Sequence, residues 1–194
     1  MVTSSNPLQV FGVKYLYYLA PAKNIPSILE YGIMTKTAVE TLEIPYDDYS
    51  DQTVQTLRAG KFLHEYVPLF LNTRNAMTFR YQKENRDFAI LRLNSDLVTH
   101  YDCLVSDRIA ACSDAEIYAL SEAALKKIDI EMVLSARNFY DNWLLKKRLG
   151  AEILVSTDIV EPEWIECIIL DRTARKINGI SIKQLHDNEY NYYF

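Results

Sequence analysis

Glycine is scarce in this chain: 194 residues contain five, beside six prolines. Low-complexity and disordered tracts need far more of both, so the composition excludes a largely unfolded chain. The glycine-rich phosphate loops GxGxxG and GxxxxGK are missing, which argues against a Rossmann or P-loop site. HExxH and GxSxG are missing too, which argues against a zincin or an α/β-hydrolase. Cys103, Cys112 and Cys167 form no CxxC, and His64, His100 and His186 show no ligand spacing. The expectation is a reduced, cytoplasmic, metal-free protein whose cysteines act as small buried hydrophobes. No apolar run reaches the ~18 residues of a membrane span. The first residues lack the charged, apolar, small order of a signal peptide.

What is present suits a globular domain. Hydrophobic residues make up 49% of the chain, enough for a substantial core, and one domain over 1–194 is expected. Tyrosine is abundant, at 14, and serves either as strand and core filling or as a stacking surface with a hydrogen-bonding tip. The net charge of −5 does not suggest a nucleic-acid binder, but its distribution is uneven. Arg74, Arg80, Lys83, Arg86 and Arg92 face only Glu84 and Asp87 within 73–92. Lys146, Lys147 and Arg148 form a second basic cluster, while residues 151–194 hold four basic and eight acidic side chains. Such strips are either solvated surface or phosphate contacts.

Along the chain, residues 13–19 read as a strand stopped by Pro21, and Asn24 as the N-cap of a helix that Gly32 ends. Residues 34–60 are polar and aperiodic, so a long binding loop or lid is expected there. Residues 66–71 read as a strand, and Pro68 inside it predicts an edge position. Strands are expected at 88–93, 103–105, 152–155 and 165–170, and helices at 114–126 and 137–148. The class is α+β, with strands and helices out of strict alternation.

Within KRLGAEILVS (147–156) an apolar strand opens on Glu152. On local grounds this is a strand end with its carboxylate in water. A carboxylate on a rigid strand can also be catalytic. With a guanidinium from Arg58 or Arg74 it could recognise a ribose and a diphosphate.

Four blocks in order bear on that choice: YYLAPAKNIPSILEYGI (17–33), LHEYVPLFLNTRNAM (63–77), LVSDRIAA (104–111) and AEILV (151–155). Together they resemble the DarT-type DNA ADP-ribosyltransferase toxin family and span about residues 15–170. The resemblance implies a compact ADP-ribosyltransferase-like fold: a central, mostly antiparallel split sheet flanked by helices. It implies an enzyme that splits NAD and transfers ADP-ribose to a base in single-stranded DNA. It also implies a macrodomain-type antitoxin as partner.

By motif, Glu152 takes the catalytic carboxylate's place, and Arg58 that of an essential arginine before the Leu-His block. Positive charge develops on the ribose as the nicotinamide bond breaks, and a carboxylate beside it opposes that charge. The family's first strand carries His-x-Thr, where this sequence has Tyr18-Leu19-Ala20. Tyr18, Leu19, Ala20, Asn24, Arg58 and His64 are therefore the candidates for NAD. Arg74, Met77, Arg80, Lys146 and Arg148 are the candidates for the acceptor strand, through phosphate contacts and apolar contact with a base. A protein or RNA acceptor, or a non-catalytic module of the same fold that binds a nucleotide or a protein partner, are the competing readings.

Overall fold

A computed structural model describes residues 5–135 and 143–170 of the chain. The elements are β1 (Tyr15–Pro21), α1 (Ile25–Tyr31), β2 (Ile33–Met34), α2 (Lys36–Thr41), α3 (Gln52–Gly60), β3 (Val67–Phe70), α4 (Ala76–Lys83) and β4 (Phe88–Asn94). They continue as β5 (Cys103–Ser106), β6 (Ile117–Ala119), α5 (Glu122–Lys127), α6 (Ile130–Ser135), α7 (Trp143–Arg148), β7 (Glu152–Val155), β8 (Ile159–Val160) and β9 (Ile165–Leu170), with short 3₁₀ turns between.

Seven strands form one sheet in the order β6-β5-β7-β3-β1-β4-β9, with every neighbouring pair antiparallel. β2 and β8 pair separately. Gly32 makes that pairing possible. Its φ is +92°, and a Cβ there would lie 2.5 Å from the Val160 carbonyl oxygen.

The sheet parts between β1 and β3. β1 pairs with β4 over seven positions but with β3 only at Tyr17–Phe70. Beyond that point β3 keeps β7 on one side and no ladder on the other. This resolves Pro68. The sequence predicts an edge strand, but β3 lies inside the sheet. A residue without an N–H is tolerated because the parting leaves that side unpaired.

One face of the sheet carries the main core: Leu16, Leu69, Leu91, Leu93, Ile153 and Val155 pack with Ile25 and Ile28 of α1 and with Leu125, Ile130 and Val133 of α5 and α6. Burial of each such side chain contributes ~1.5–3 kcal/mol. The opposite face is covered by two smaller clusters. Tyr81, Phe88, Ile90, Cys167 and Ile169 form one; Leu63, Ala110 and Leu154 form the other.

Three further expectations change. Residues 34–60 are not one long loop but α2 and α3 joined by residues 42–51, with Thr35 and Asp51 as side-chain caps. The expected helix 114–126 is instead β6 followed by α5, whose start is set by Ser121 accepting from the Ala124 N–H. Of the expected helix 137–148, Trp143–Arg148 is α7 and residues 137–142 lie outside the described residues.

Candidate active site

Side chains alternate along a strand, so Ile153 and Val155 enter the main core while Glu152 and Leu154 face the other way. That face is covered by Leu63 and Ala110, and Glu152 is only 1% exposed. The carboxylate is therefore not a frayed end in water. Arg58 of α3 donates from Nη1 to Glu152 Oε2 at 3.1 Å, and the Ala110 N–H donates to Oε1 at 3.3 Å. Ser106 fixes the backbone: its Oγ accepts from the Glu152 N–H at 3.0 Å and donates to the Arg108 carbonyl at 2.6 Å. Burying a carboxylate is costly unless it is paired and hydrogen-bonded, and here Arg58 holds one oxygen and the Ala110 N–H the other.

The pair lies in a cleft that enters the parted sheet. Its walls include Tyr18 and Leu19 of β1, Pro68 and Phe70 of β3, Met77 and Tyr81 of α4, His64, Tyr66, and residues 44–50. Phe70 stands opposite Glu152 in the β3–β7 ladder. Burial, with Asp48 nearby, pushes the Tyr18 hydroxyl up to about 12, so it remains a neutral donor with an aromatic face. His64 is held below its ordinary value, first by burial and then by the cations of Lys36 and Arg58. Arg58 Nη2 and His64 Nε2 are both buried, and neither has a hydrogen-bond partner among the described residues. Buried polar atoms left in this way are costly, and a polar ligand in the cleft would satisfy them.

The outer wall, residues 42–51, is held mainly by side chains. Asn24 donates from Nδ2 to the Asp47 carbonyl at 2.8 Å and accepts from the Asp47 N–H at 2.9 Å. That pair of hydrogen bonds stands in place of the expected cap, because Asn24 makes no capping bond to α1. Gln55 donates to Asp48 Oδ2 at 2.5 Å, and Lys36 donates to Gln55 Oε1 at 2.7 Å. Tyr49 sits edge-on to Tyr81 at 5.5 Å, with the Arg86 guanidinium over its ring at 4.9 Å.

Of the residues singled out by sequence, Tyr18, Leu19, Asn24, Arg58, His64, Met77 and Glu152 meet in this cleft. Ala20 does not. It is 0% exposed, part of the main core, with its backbone in the β1–β4 ladder opposite Ala89. Arg74, Arg80, Lys146 and Arg148 do not line the cleft either. Arg80 pairs with Glu84 at 2.8 Å, and Arg148 with Asp129 at 3.9 Å. Arg74 lies in the turn before α4, its N–H donating to Asn72 Oδ1. Sequence reasoning passed over Lys36, Asp48, Gln55, Phe70 and Ala110. For the first three, the signal was Thr35 and Asp51 as helix-capping residues.

A parted antiparallel sheet whose cleft ends on a buried carboxylate defines the class: an ADP-ribosyltransferase-like fold. Solved structures agree. DarTG of Thermosipho africanus in complex with ADP-ribose gives a TM-score of 0.71 at 27% identity, covering 81% of this chain and 44% of that one. DarT of Thermus sp. 2.9 in complex with ADP-ribosylated ssDNA gives 0.68 at 18% identity, covering 81% of each, which speaks for the fold. The family model of DarT, the ssDNA thymidine ADP-ribosyltransferase, matches residues 17–191, and the chain belongs to that family. A curated relative from Thermosipho africanus is a DNA ADP-ribosyl transferase–DNA ADP-ribosyl glycohydrolase fusion protein. It is 28% identical over 191 residues, 89% of this chain, and the chain spans about half (48%) of its length. Among the described residues no helix is long and apolar enough to cross a membrane.

Proposed function

We propose that this chain transfers ADP-ribose from NAD to thymidine in single-stranded DNA, with Glu152 as the catalytic carboxylate. The observation that carries this reading is the Glu152–Arg58 pair, buried at the base of a cleft in a member of the DarT family. Glu152 would oppose the positive charge that grows on the ribose as the nicotinamide bond breaks, and would take the proton released by the attacking base. Arg58 holds that carboxylate with Nη1 and keeps Nη2 for a phosphate or ribose oxygen. By the resemblance Tyr18-Leu19-Ala20 stands for the family's His-x-Thr, and Tyr18 lines the cleft, so the flat nicotinamide would meet an aromatic face. His64, neutral near pH 7, would offer Nε2 to a polar group of the same ligand. Met77 would support the acceptor base by apolar contact.

The fusion relative carries transferase and glycohydrolase in one chain. A macrodomain-type partner that removes the modification would make this chain the toxin of a cytoplasmic toxin–antitoxin pair. The test is incubation with NAD and short single-stranded oligonucleotides of varied composition, read by mass spectrometry. One ADP-ribose should appear on thymidine-containing strands only. Label that appears on protein or RNA of a lysate and never on DNA would overturn the acceptor. No NAD turnover in any mixture would reduce the chain to a binding module.

A further inference from the structure

We infer that Lys61 is a positioning residue for the Glu152 carboxylate, acting through the segment that follows β5. The inference rests on the proposed role of Glu152. Among the described residues, Glu152 Oε1 is held by one group, the Ala110 N–H. Ala110 lies in an irregular stretch between β5 and β6, where no ladder fixes the direction of that N–H. Lys61 closes α3, three residues after Arg58, and its ammonium crosses to this stretch. It donates to the Ala110 carbonyl at 3.0 Å and to the Cys112 carbonyl.

One lysine thus gathers two carbonyls on either side of Ala111, and the backbone of Ala110 is held on both sides of its Cα: N–H to Glu152, C=O to Lys61. The same helix brings Arg58 to Oε2. Both oxygens of the carboxylate are therefore oriented from the C-terminal turn of α3, Oε2 directly and Oε1 through Lys61. A lysine at a helix end ordinarily serves that helix's own last carbonyls, and this one reaches across instead. A further brace stands behind it: Arg108 donates to Asp107 and Asp114, and Lys147 of α7 donates to Asp114.

Lys61→Met keeps the stem and removes the donors, and Lys61→Arg keeps two donors able to span the carbonyls. Steady-state transfer should show kcat of Lys61→Met down about tenfold with KM for NAD within about twofold, since a small misplacement of a reacting group is costly. Hydrogen exchange of the Ala110 amide, read by NMR on the protein alone, should lose its protection in Lys61→Met. Lys61→Arg should recover both. The melting temperature reads any general loss of structure. Unchanged Ala110 protection in Lys61→Met overturns the inference, and so does a fall in kcat that Lys61→Arg does not relieve. If the wild-type chain shows no transfer, the proposed function fails, and Ala110 exchange alone still decides this inference.

Discussion

Glu152 stands on β7, whose four residues are all buried and paired with β3, the last three also with β5. Arg58 stands on α3, which buries none of its residues. The two side chains meet at 3.1 Å, yet what holds them differs in kind. The carboxylate is placed by sheet register, by Ser106 on its own backbone and by apolar neighbours on both faces. The guanidinium is placed by a helix whose ties to its surroundings include side-chain hydrogen bonds such as Lys36–Gln55 and Gln55–Asp48. The contrast teaches a division of labour. On the proposed function, the group that would oppose a developing charge is preorganised, and the wall that would admit a long flexible ligand is held by exchangeable polar contacts.

The largest effect should come from removing the preorganised charge. Glu152→Gln keeps the shape, the β7 ladder and the Ser106 bonds, and should cut transfer by ~100-fold or more while far-UV circular dichroism stays unchanged. Activity within tenfold of wild type would break the assignment of the rigid wall. Second comes Gly150→Ala, two residues before Glu152. Its Cβ would fall 2.2 Å from Ile109 Cγ1, and Ile109 itself lines the cleft. The crowding should cost ~1–3 kcal/mol in denaturant unfolding and lower kcat with it. A stability unchanged within error would mean that the 107–112 segment yields freely, which would blur the contrast between the walls.

The strand of the rigid wall was legible in the sequence, as was β9 at the far edge of the sheet. β7 and β9 are β-branched runs between turn residues, and their expected bounds match those observed. The exchangeable wall was not. α3 has no buried residue and so no apolar stripe to read, and Arg58 was expected in a loop. Asn24 looks like a helix cap, but the backbone of Asp47, 23 residues away, claims its side chain. The Arg58–Glu152 pair joins positions 94 apart. No local pattern carries such a contact: residue type left Arg58 and Arg74 as equal candidates beside Glu152, and the family resemblance singled out Arg58. Ala20 shows the limit of that route: it matches the motif in position, yet its side chain faces the core. By the resemblance the motif's place falls on β1, where Ala20 offers no polar side chain.

The exchangeable wall predicts smaller effects. Asn24→Ala removes both bonds to Asp47, each worth ~1 kcal/mol. With residues 44–50 loosened, KM for NAD should rise several-fold while kcat stays within about twofold. A drop in kcat at unchanged KM would instead tie this wall to the chemical step.

His64 predicts the smallest effect, and its sign follows from its setting. Burial, then Lys36 and Arg58, hold its imidazole below the ordinary value, against the weaker opposing pull of Glu40 and Asp48. The unfolded chain therefore takes up the proton at a higher pH than the folded one. The stability that His64 contributes is complete above the unfolded-chain value and is lost as pH falls from there through the folded value. Melting curves at pH 7.5 and 5.5 should show wild type losing more on acidification than His64→Gln, with the two close together at the higher pH. Parallel losses would mean that the imidazole gains its proton in the folded cleft as readily as in water. The wall around Lys36, Arg58 and His64 would then be open to solvent even without ligand. In that case the difference between the two walls would be one of hydration rather than of the bonds that hold them.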